Sequence, residues 1–164
     1  MGRYVLVFLA LLLCGHGQAS ESTLRMVGQA HLTFMFWPIY DSRLYSADGS
    51  YQEGQLPLQL EIQYLRDVDA DDLVQHTQSE WQRQGLSHGS QQQWLETLSR
   101  LLPDVSENDV LALVVDQQGR SEFLLNGQLL GQINDPLFGQ HFLAIWLSPE
   151  TSQPEMRQAL LGLG

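Results

Sequence analysis

Apolar and polar side chains alternate along residues 56–67 so regularly that the two faces of this segment can be assigned directly. The apolar row consists of Leu58, Leu60, Ile62 and Tyr64. A period of two residues is typical of an antiparallel strand that has one covered face and one open face. Arg66 follows in the same apolar phase. We therefore predict a strand over residues 56–66, with Arg66 at the end of its inner face.

Five further segments have the patterns of strands. Residues 26–37 are largely apolar in both alternating rows, which predicts a strand covered on both faces. Pro38 either ends this strand or forms a bulge in it at a sheet edge. A second strand is predicted at 39–45. Three more are predicted at 110–115, 121–125 and 129–133. Asn126-Gly127, between the last two, is a strong signal for a two-residue hairpin turn.

Apolar residues change to helical spacing in four places. Residues 69–84 and 90–102 each carry one apolar stripe, and Asp69 is placed to cap the first of these helices. Asp135-Pro136 predicts the start of a third helix, and Ser152 with Glu155 predicts a capping box for a fourth. The sequence thus predicts one α+β domain: an antiparallel meander, interrupted by a helical pair and finished by two helices that cover the sheet.

The amino-terminal residues have the features of a secretory signal. Arg3 precedes an apolar run at 4–14, and small residues follow at 17–19. The run is too short to span a membrane, so we predict a signal peptide at 1–19, cleaved before Ser20. A lipoprotein signal at Cys14 is the alternative, although Leu13 is large for such a site. The single domain is then 20–164, and the protein is expected in the periplasm or outside the cell.

Charge and residue usage exclude several classes of function. The formal net charge is −11, which disfavours binding to nucleic acid or to an anionic membrane surface. The chain has no lysine, and its one cysteine is Cys14, so Schiff-base, phosphate-loop and thiolate mechanisms are excluded for residues 20–164. The histidines at 31, 76, 88 and 141 lack metal-ligand spacing. We expect no cofactor and no metal.

Arg66 is the strongest candidate for a binding residue. A guanidinium that ends an apolar row keeps its charge and needs an anion, which either a ligand or the nearby Asp67 and Asp69 could provide. His31 and the tyrosines could line the same cavity; these are Tyr40, Tyr45 and Tyr64. Residues 85–89 match the nucleophile pattern G-x-S-x-G, but a helix precedes them where a strand is required, so we predict a connecting loop and no catalytic residue.

The ordered motifs resemble the bacterial, exported branch of the chalcone-isomerase-like proteins. They comprise Gly28-x-Ala30, Ile39-Tyr40-Asp41-x-x-Leu44-Tyr45, Tyr64-Leu65-Arg66-Asp67, residues 142–149, and Ser152-x-Pro154-x-Met156-Arg157. The similarity spans residues 24–164. It implies an open-faced β-sandwich, in which helices lie over one face of a large antiparallel sheet and a cleft separates the two layers.

The resemblance also bears on function. Some plant-type members isomerise chalcones, whereas other relatives bind fatty acids and hold the carboxylate with an arginine and a tyrosine. Here residues 28–33 offer His31 in place of the family arginine, and helix 90–102 lacks the tyrosine and asparagine of the plant site. We therefore expect a non-catalytic binding protein for a hydrophobic, possibly anionic small molecule such as a fatty acid. An isomerase or lyase using His31 or a tyrosine, and a structural envelope protein without ligand, are the alternatives.

Overall fold

A computed structural model describes residues 23–164, which form six strands and four helices. The strands are β1 (Arg25–Phe34), β2 (Trp37–Ser46), β3 (Leu58–Tyr64), β4 (Val110–Val115), β5 (Ser121–Leu125) and β6 (Gln128–Ile133). The helices are α1 (Ala70–Arg83), α2 (Gln91–Leu101), α3 (Phe138–Leu147) and α4 (Pro154–Leu160). The predicted signal peptide at 1–19 and its alternative at Cys14 lie outside the described residues.

The six strands form one antiparallel sheet in the order β1-β2-β3-β4-β5-β6. Each strand therefore pairs with its neighbour in sequence. Helices α1 and α2 connect β3 to β4, and α3 and α4 follow β6. This confirms the predicted meander with an inserted helical pair and two final helices.

The register places apolar residues in rows that cross the sheet. Leu60 of β3 pairs with Leu44 of β2 and Leu113 of β4, and Leu113 pairs in turn with Phe123 of β5. All four side chains are buried. The alternation predicted for β3 is confirmed, since its apolar row is buried and its polar row is only partly covered. One face of the sheet therefore belongs to the core.

The helices cover that face and leave the other face open. Helix α4 packs on β1 and β2, α2 packs on β6, and α1 contacts both α2 and α3. Helix α3 is buried around much of its circumference, including Phe142 and Trp146, which is typical of a helix in the middle of a core. The predicted open-faced α+β sandwich is confirmed.

The prediction of one strand over residues 26–37 is wrong. The chain turns at Met35 and Phe36, so Trp37 and Pro38 belong to β2. The end of this hairpin is exposed rather than covered on both faces. Met35 adopts a positive φ of 57°, a conformation that glycine and asparagine favour. Residues 34–37 include none of the residue types that usually mark a turn, so the turn was not predicted.

The starts of α1, α2 and α4 agree with the prediction within one residue, but the predicted start of α3 at Asp135-Pro136 is too early, since this helix begins at Phe138 with Leu137 at its N-cap. The caps of α1 and α4 are also stabilised differently from the prediction. Asp69 precedes α1 without a side-chain capping bond, and Asp104 Oδ1 accepts a hydrogen bond from the Ala70 N–H at 2.8 Å instead. The predicted capping box of α4 does not form, because Ser152 Oγ donates to Glu80 Oε1 at 3.0 Å. Both polar groups connect separate parts of the fold.

Gly28 allows α4 to lie directly on the first strand. A Cβ atom at this position would lie 2.3 Å from the carbonyl oxygen of Ala159 and 2.6 Å from that of Leu160. Backbone atoms cannot rotate away as a side chain can, so a larger residue must push α4 off the sheet. The absence of a side chain at Gly28 therefore sets the distance between β1 and α4.

We expect Gly28→Ala to lower the free energy of unfolding by about 1–3 kcal/mol, because overpacking a close contact costs that much. Gly89→Ala is the matched control, since a Cβ atom there meets nothing within 4 Å. Urea unfolding followed by circular dichroism measures both. Equal midpoints for the two variants would contradict the close packing of α4 on β1.

Candidate functional site

A cavity of about 320 Å³ lies between the inner face of the sheet and the helices. Strands β1 to β5 contribute one wall, and α1 and α3 contribute the other. Its apolar lining includes Leu32, Ile39, Leu60, Ile62, Leu73, Leu102, Leu111, Leu113, Phe123, Phe142 and Trp146. Polar side chains are few: Tyr40, Tyr64, Asp72, His76 and Thr77. An apolar pocket with a small number of polar groups is typical of a site for an apolar small molecule.

Tyr40 is held in place by two partners inside the protein. Its hydroxyl accepts a hydrogen bond from Trp146 Nε1 at 2.9 Å and donates to the sulfur of Met156 at 3.9 Å. Burial raises the pKa of Tyr40 to about 12, although the bond from Trp146 opposes this shift. Tyr40 is therefore a neutral wall residue whose hydroxyl is already engaged.

Tyr64 lines the same cavity with its hydroxyl uncommitted. Its ring packs edge-on against that of Tyr40, with centroids 6.1 Å apart, and burial raises the pKa of Tyr64 well above its ordinary value. Among residues 23–164, no group forms a hydrogen bond with the Tyr64 hydroxyl. The fully buried polar side-chain atoms without a partner in this part of the chain are Gln84 Oε1 and Ser121 Oγ, so the Tyr64 oxygen keeps some accessible surface. It lines the cavity and is available to a ligand.

Two polar residues of α1 at the edge of the cavity were not predicted from the sequence. Asp72 and His76 both line the cavity, and both are exposed. They are four residues apart, so they lie on the same side of the helix. Phe34 and Ile39 line the cavity from the hairpin side. The opening therefore lies between α1 and the β1–β2 hairpin. The sequence contained one indication of this pair, namely that Asp72 and His76 are four residues apart in a predicted helix.

The structure brings together only two of the five candidate residues, Tyr40 and Tyr64. His31 is exposed and does not line the cavity; its Nδ1 lies 2.6 Å from Asp41 Oδ1 on the open face of the sheet. Tyr45 is on that face too, where its hydroxyl donates to Glu61 Oε2 at 3.0 Å. Strand alternation explains both positions, since each follows or precedes a residue that points into the core.

The predicted position of Arg66 is wrong. Strand β3 ends at Tyr64, the chain bends, and Arg66 is exposed rather than turned into the cavity. The alternative ion pair with Asp67 or Asp69 does not form either, since Arg66 is in no salt bridge within residues 23–164. The guanidinium therefore stays in water near the strand end, and water provides its solvation.

A second pocket, of about 400 Å³, lies on the other side of α3 and has a more mixed lining. It includes Arg157, Glu53, His88 and His141, and none of the predicted site residues. Gln91 Nε2 lies 2.7 Å from His141 Nε2. Burial, followed by the nearby His88, lowers the pKa of His141. Leucines also line this pocket, among them Leu58, Leu143 and Leu147, so it differs from the first cavity mainly in its larger share of polar and charged groups.

The arrangement has the chemistry of a binding cavity. Its walls are apolar, and its tyrosine hydroxyls are protonated at neutral pH, as an ordinary tyrosine is; burial raises their pKa values further. Among residues 23–164, no group of three potential metal ligands is placed to hold an ion. None of the helices in this part of the chain is both long enough and apolar enough to cross a bilayer. The fold and cavity define the class: an open-faced α+β sandwich with an apolar internal site.

Comparison with known proteins identifies the family. The sequence matches the chalcone isomerase-like family over residues 16–162, so the chain belongs to that family. It is 31% identical over 136 residues to an uncharacterized protein of Haemophilus influenzae, a match that covers 83% of this chain and 67% of the relative. A crystal structure of a fatty-acid binding protein of Arabidopsis thaliana has the same fold, with a TM-score of 0.65 and 12% identity. The match covers 85% of this chain and 87% of that one.

The raised tyrosine pKa values predict a loss of stability at high pH. An unfolded tyrosine ionises near pH 10, whereas Tyr40 and Tyr64 remain neutral in the folded protein beyond that point. Their stabilising effect is complete below about pH 10 and is lost as the pH rises toward the folded values. We expect Tyr64→Phe to reduce the slope of this loss by about 0.7 kcal/mol per pH unit at pH 10, where half of the unfolded tyrosine is ionised, and by nearly 1.4 kcal/mol per pH unit only from about pH 11 upward. Urea unfolding at pH 9 to 11 measures it, and an unchanged slope would contradict the burial of Tyr64.

Proposed function

We propose that this protein is a non-catalytic binding protein for a hydrophobic small molecule, such as a fatty acid or another acyl compound. The observation that carries the proposal is the apolar cavity with the uncommitted Tyr64 hydroxyl on its wall. The apolar tail of a ligand gains from leaving water, and one polar atom of its head receives the hydrogen bond that Tyr64 can donate.

The lining favours a head group held by hydrogen bonding over one held by an ion pair. No arginine lines the cavity within residues 23–164, and the carboxylate of Asp72 lies at its edge. A free carboxylate would be repelled by Asp72 and would have only the hydroxyls and His76 nearby. We therefore propose that a protonated acid or a carbonyl-bearing acyl compound binds better than an ionised fatty acid.

The relatives support the proposal at the level of the fold. The similar Arabidopsis thaliana structure is described as a fatty-acid binding protein. At 12% identity that likeness extends to the fold and does not transfer residues. The cavity of the present chain supplies the independent argument, because it lies between the sheet and the helices and is lined by apolar side chains.

The cavity residues favour binding over isomerisation. A general base works best when its pKa is near the operating pH, whereas the pKa values of Tyr40 and Tyr64 are shifted upward, away from neutrality. His31, which the sequence offered as an acid or base, lies on the open face. His76 lies at the edge of the cavity and is exposed.

We propose export as part of this function, on the basis of the pattern at residues 1–19. The protein would then meet its ligand in the periplasm or outside the cell. Mass spectrometry of the protein purified from a bacterial cell should give an amino terminus at Ser20. Retention of residues 1–19, with the protein in the cytoplasmic fraction, would contradict export.

Tyr64→Phe should weaken binding of an acyl ligand about tenfold, because it removes one hydrogen bond and little volume. Tyr45→Phe is the matched control, since it removes a hydroxyl from the open face of the sheet. Displacement of a fluorescent fatty acid, measured at pH 5 and pH 8 without membranes, gives both affinities. Native mass spectrometry then shows whether a lipid copurifies.

Arg66→Ala should leave this affinity within about twofold of the starting protein, because its side chain is exposed and does not line the cavity. The proposal fails if no acyl compound binds at either pH. It also fails if Tyr64→Phe and Tyr45→Phe bind equally well, because the ligand would then not contact Tyr64.

A further inference from the structure

The end of the β1–β2 hairpin exposes four consecutive large apolar side chains, which we call the apolar tip. The exposed fractions are 66% for Phe34, 76% for Met35, 92% for Phe36 and 68% for Trp37. Single exposed apolar residues are ordinary, whereas a contiguous patch of this kind marks an interaction surface. We therefore infer that the apolar tip contacts a surface that is not part of residues 23–164.

The hairpin carries the tip beyond the rest of the sheet. Tyr40 pairs with Tyr64 at the end of β3, and Trp37 lies three residues further along β2. At about 3.3 Å per residue, the tip extends roughly 10 Å past the paired strands. Beyond Ile39, whose carbonyl accepts a bond from Leu65 N, the hairpin is supported by its own two strands. The apolar tip is therefore the end of a narrow two-stranded projection, whereas most protein–protein interfaces are broad and flat.

The tip is apolar but contains residue types that suit a lipid–water boundary. Residues 32–40 contain no charged side chain, and their few polar groups include Thr33. Phenylalanine and tryptophan insert readily at the level of lipid head groups. Since the hydrogen bonds of this hairpin run between its own strands, only its outermost backbone groups would need the polar head-group region.

A cation lies next to the base of the projection. Arg66 follows Leu65, whose N–H donates to the Ile39 carbonyl at 2.9 Å, so it lies at the same end of the sheet. It is exposed and is in no salt bridge within the described chain. With the tip inserted, Arg66 would be at the level of the lipid phosphates, which a guanidinium binds well.

The overall charge selects the kind of surface. A net charge of −11, with Asp67, Asp69, Asp71 and Asp72 close to Arg66 in sequence, disfavours a strongly anionic membrane. A zwitterionic surface offers phosphates to Arg66 without a net repulsive field. The apolar tip, rather than charge attraction, then provides the driving force, and its strength changes little with salt.

The cavity opens beside the tip. Phe34 belongs to both features, since it lines the cavity and is 66% exposed. Ile39, in the same hairpin, also lines the cavity. A bilayer that receives the tip would therefore lie next to the cavity opening, where an apolar molecule could pass without crossing water.

We propose that the apolar tip inserts into the surface of a zwitterionic phospholipid bilayer, with Arg66 contacting the phosphate groups. This inference rests on the tip and stands apart from the proposed ligand, which is measured without membranes. A second copy of the chain is a weaker occupant. The four side chains offer on the order of 600 Å², less than the about 800 Å² per partner of a stable interface, and both copies carry the same negative charge.

The protein contains its own reporter of insertion. Of its four tryptophans, Trp37 is exposed, whereas Trp81, Trp94 and Trp146 are buried. The full-length sequence is expressed in cells, and the resulting protein is purified and mixed with phosphatidylcholine vesicles that carry bromine on the acyl chains. We expect quenching and a blue shift of the fluorescence. Trp37→Phe keeps an apolar tip and should abolish most of this signal while vesicle flotation persists.

Two tip variants and one control measure the affinity by flotation. Phe36→Ser should weaken binding at least tenfold, and so should Met35→Asn, because asparagine tolerates the positive φ at this turn and so preserves the hairpin. Leu129→Ser is the matched control, since Leu129 is 60% exposed on β6, at the opposite edge of the sheet. It should bind as the starting protein does, also in 0.5 M salt. Arg66→Ala should weaken binding about threefold.

The outcomes are distinct. Absence of flotation or quenching overturns the proposal, as does equal weakening by Phe36→Ser and Leu129→Ser. A dimer that binds no vesicles and is disrupted by Phe36→Ser assigns the tip to a second copy and also overturns it. The displacement assay in solution reports on the ligand alone. A protein that binds acyl compounds but no vesicles thus separates failure of this inference from failure of the proposed function.

Discussion

The fold depends on covering the apolar face of one six-stranded sheet. Register aligns Leu44, Leu60, Leu113 and Phe123 in a row across four strands, and such a face is stable only when another layer excludes water from it. Helix α3, buried around much of its circumference, lies at the centre of that layer. Gly28 lets α4 approach β1 directly. The cavity lies where the side chains of the two layers do not meet.

The same layering gives two neighbouring tyrosines different roles. Tyr40 and Tyr64 face each other across paired strands. Tyr40 reaches α3 and α4 through Trp146 and Met156, so its hydroxyl helps to join the layers. The Tyr64 hydroxyl lines the cavity, and within residues 23–164 it forms no side-chain hydrogen bond. One hydroxyl thus serves the structure and the other is left to the cavity, although both have the same sequence environment of alternating strand residues.

Sequence patterns predicted the elements well wherever burial controls the pattern. The alternation of β3, the bounds of β4 and β5, and the buried stripe of α2 with Trp94 and Leu98 agree with the structure. Predictions failed where local geometry overrides pattern. The turn at Met35 is made of apolar residues, which do not mark a turn in the sequence. Strand β3 ends at Tyr64, so the alternation of side chains along the strand no longer determines which way Arg66 points. His31, adjacent to the inward Ala30, could have been assigned to the open face from alternation alone.

The central claim is that an acyl ligand lies between the sheet and the helices with its head at Tyr64. A crystal structure of the protein with a bound fatty acid tests this most directly. The account predicts an acyl chain along Leu60 and Leu113, with a head-group oxygen about 2.6–3.0 Å from the Tyr64 hydroxyl. An acyl chain in the pocket beside Arg157 and His141, with the cavity at Tyr64 empty, would contradict it.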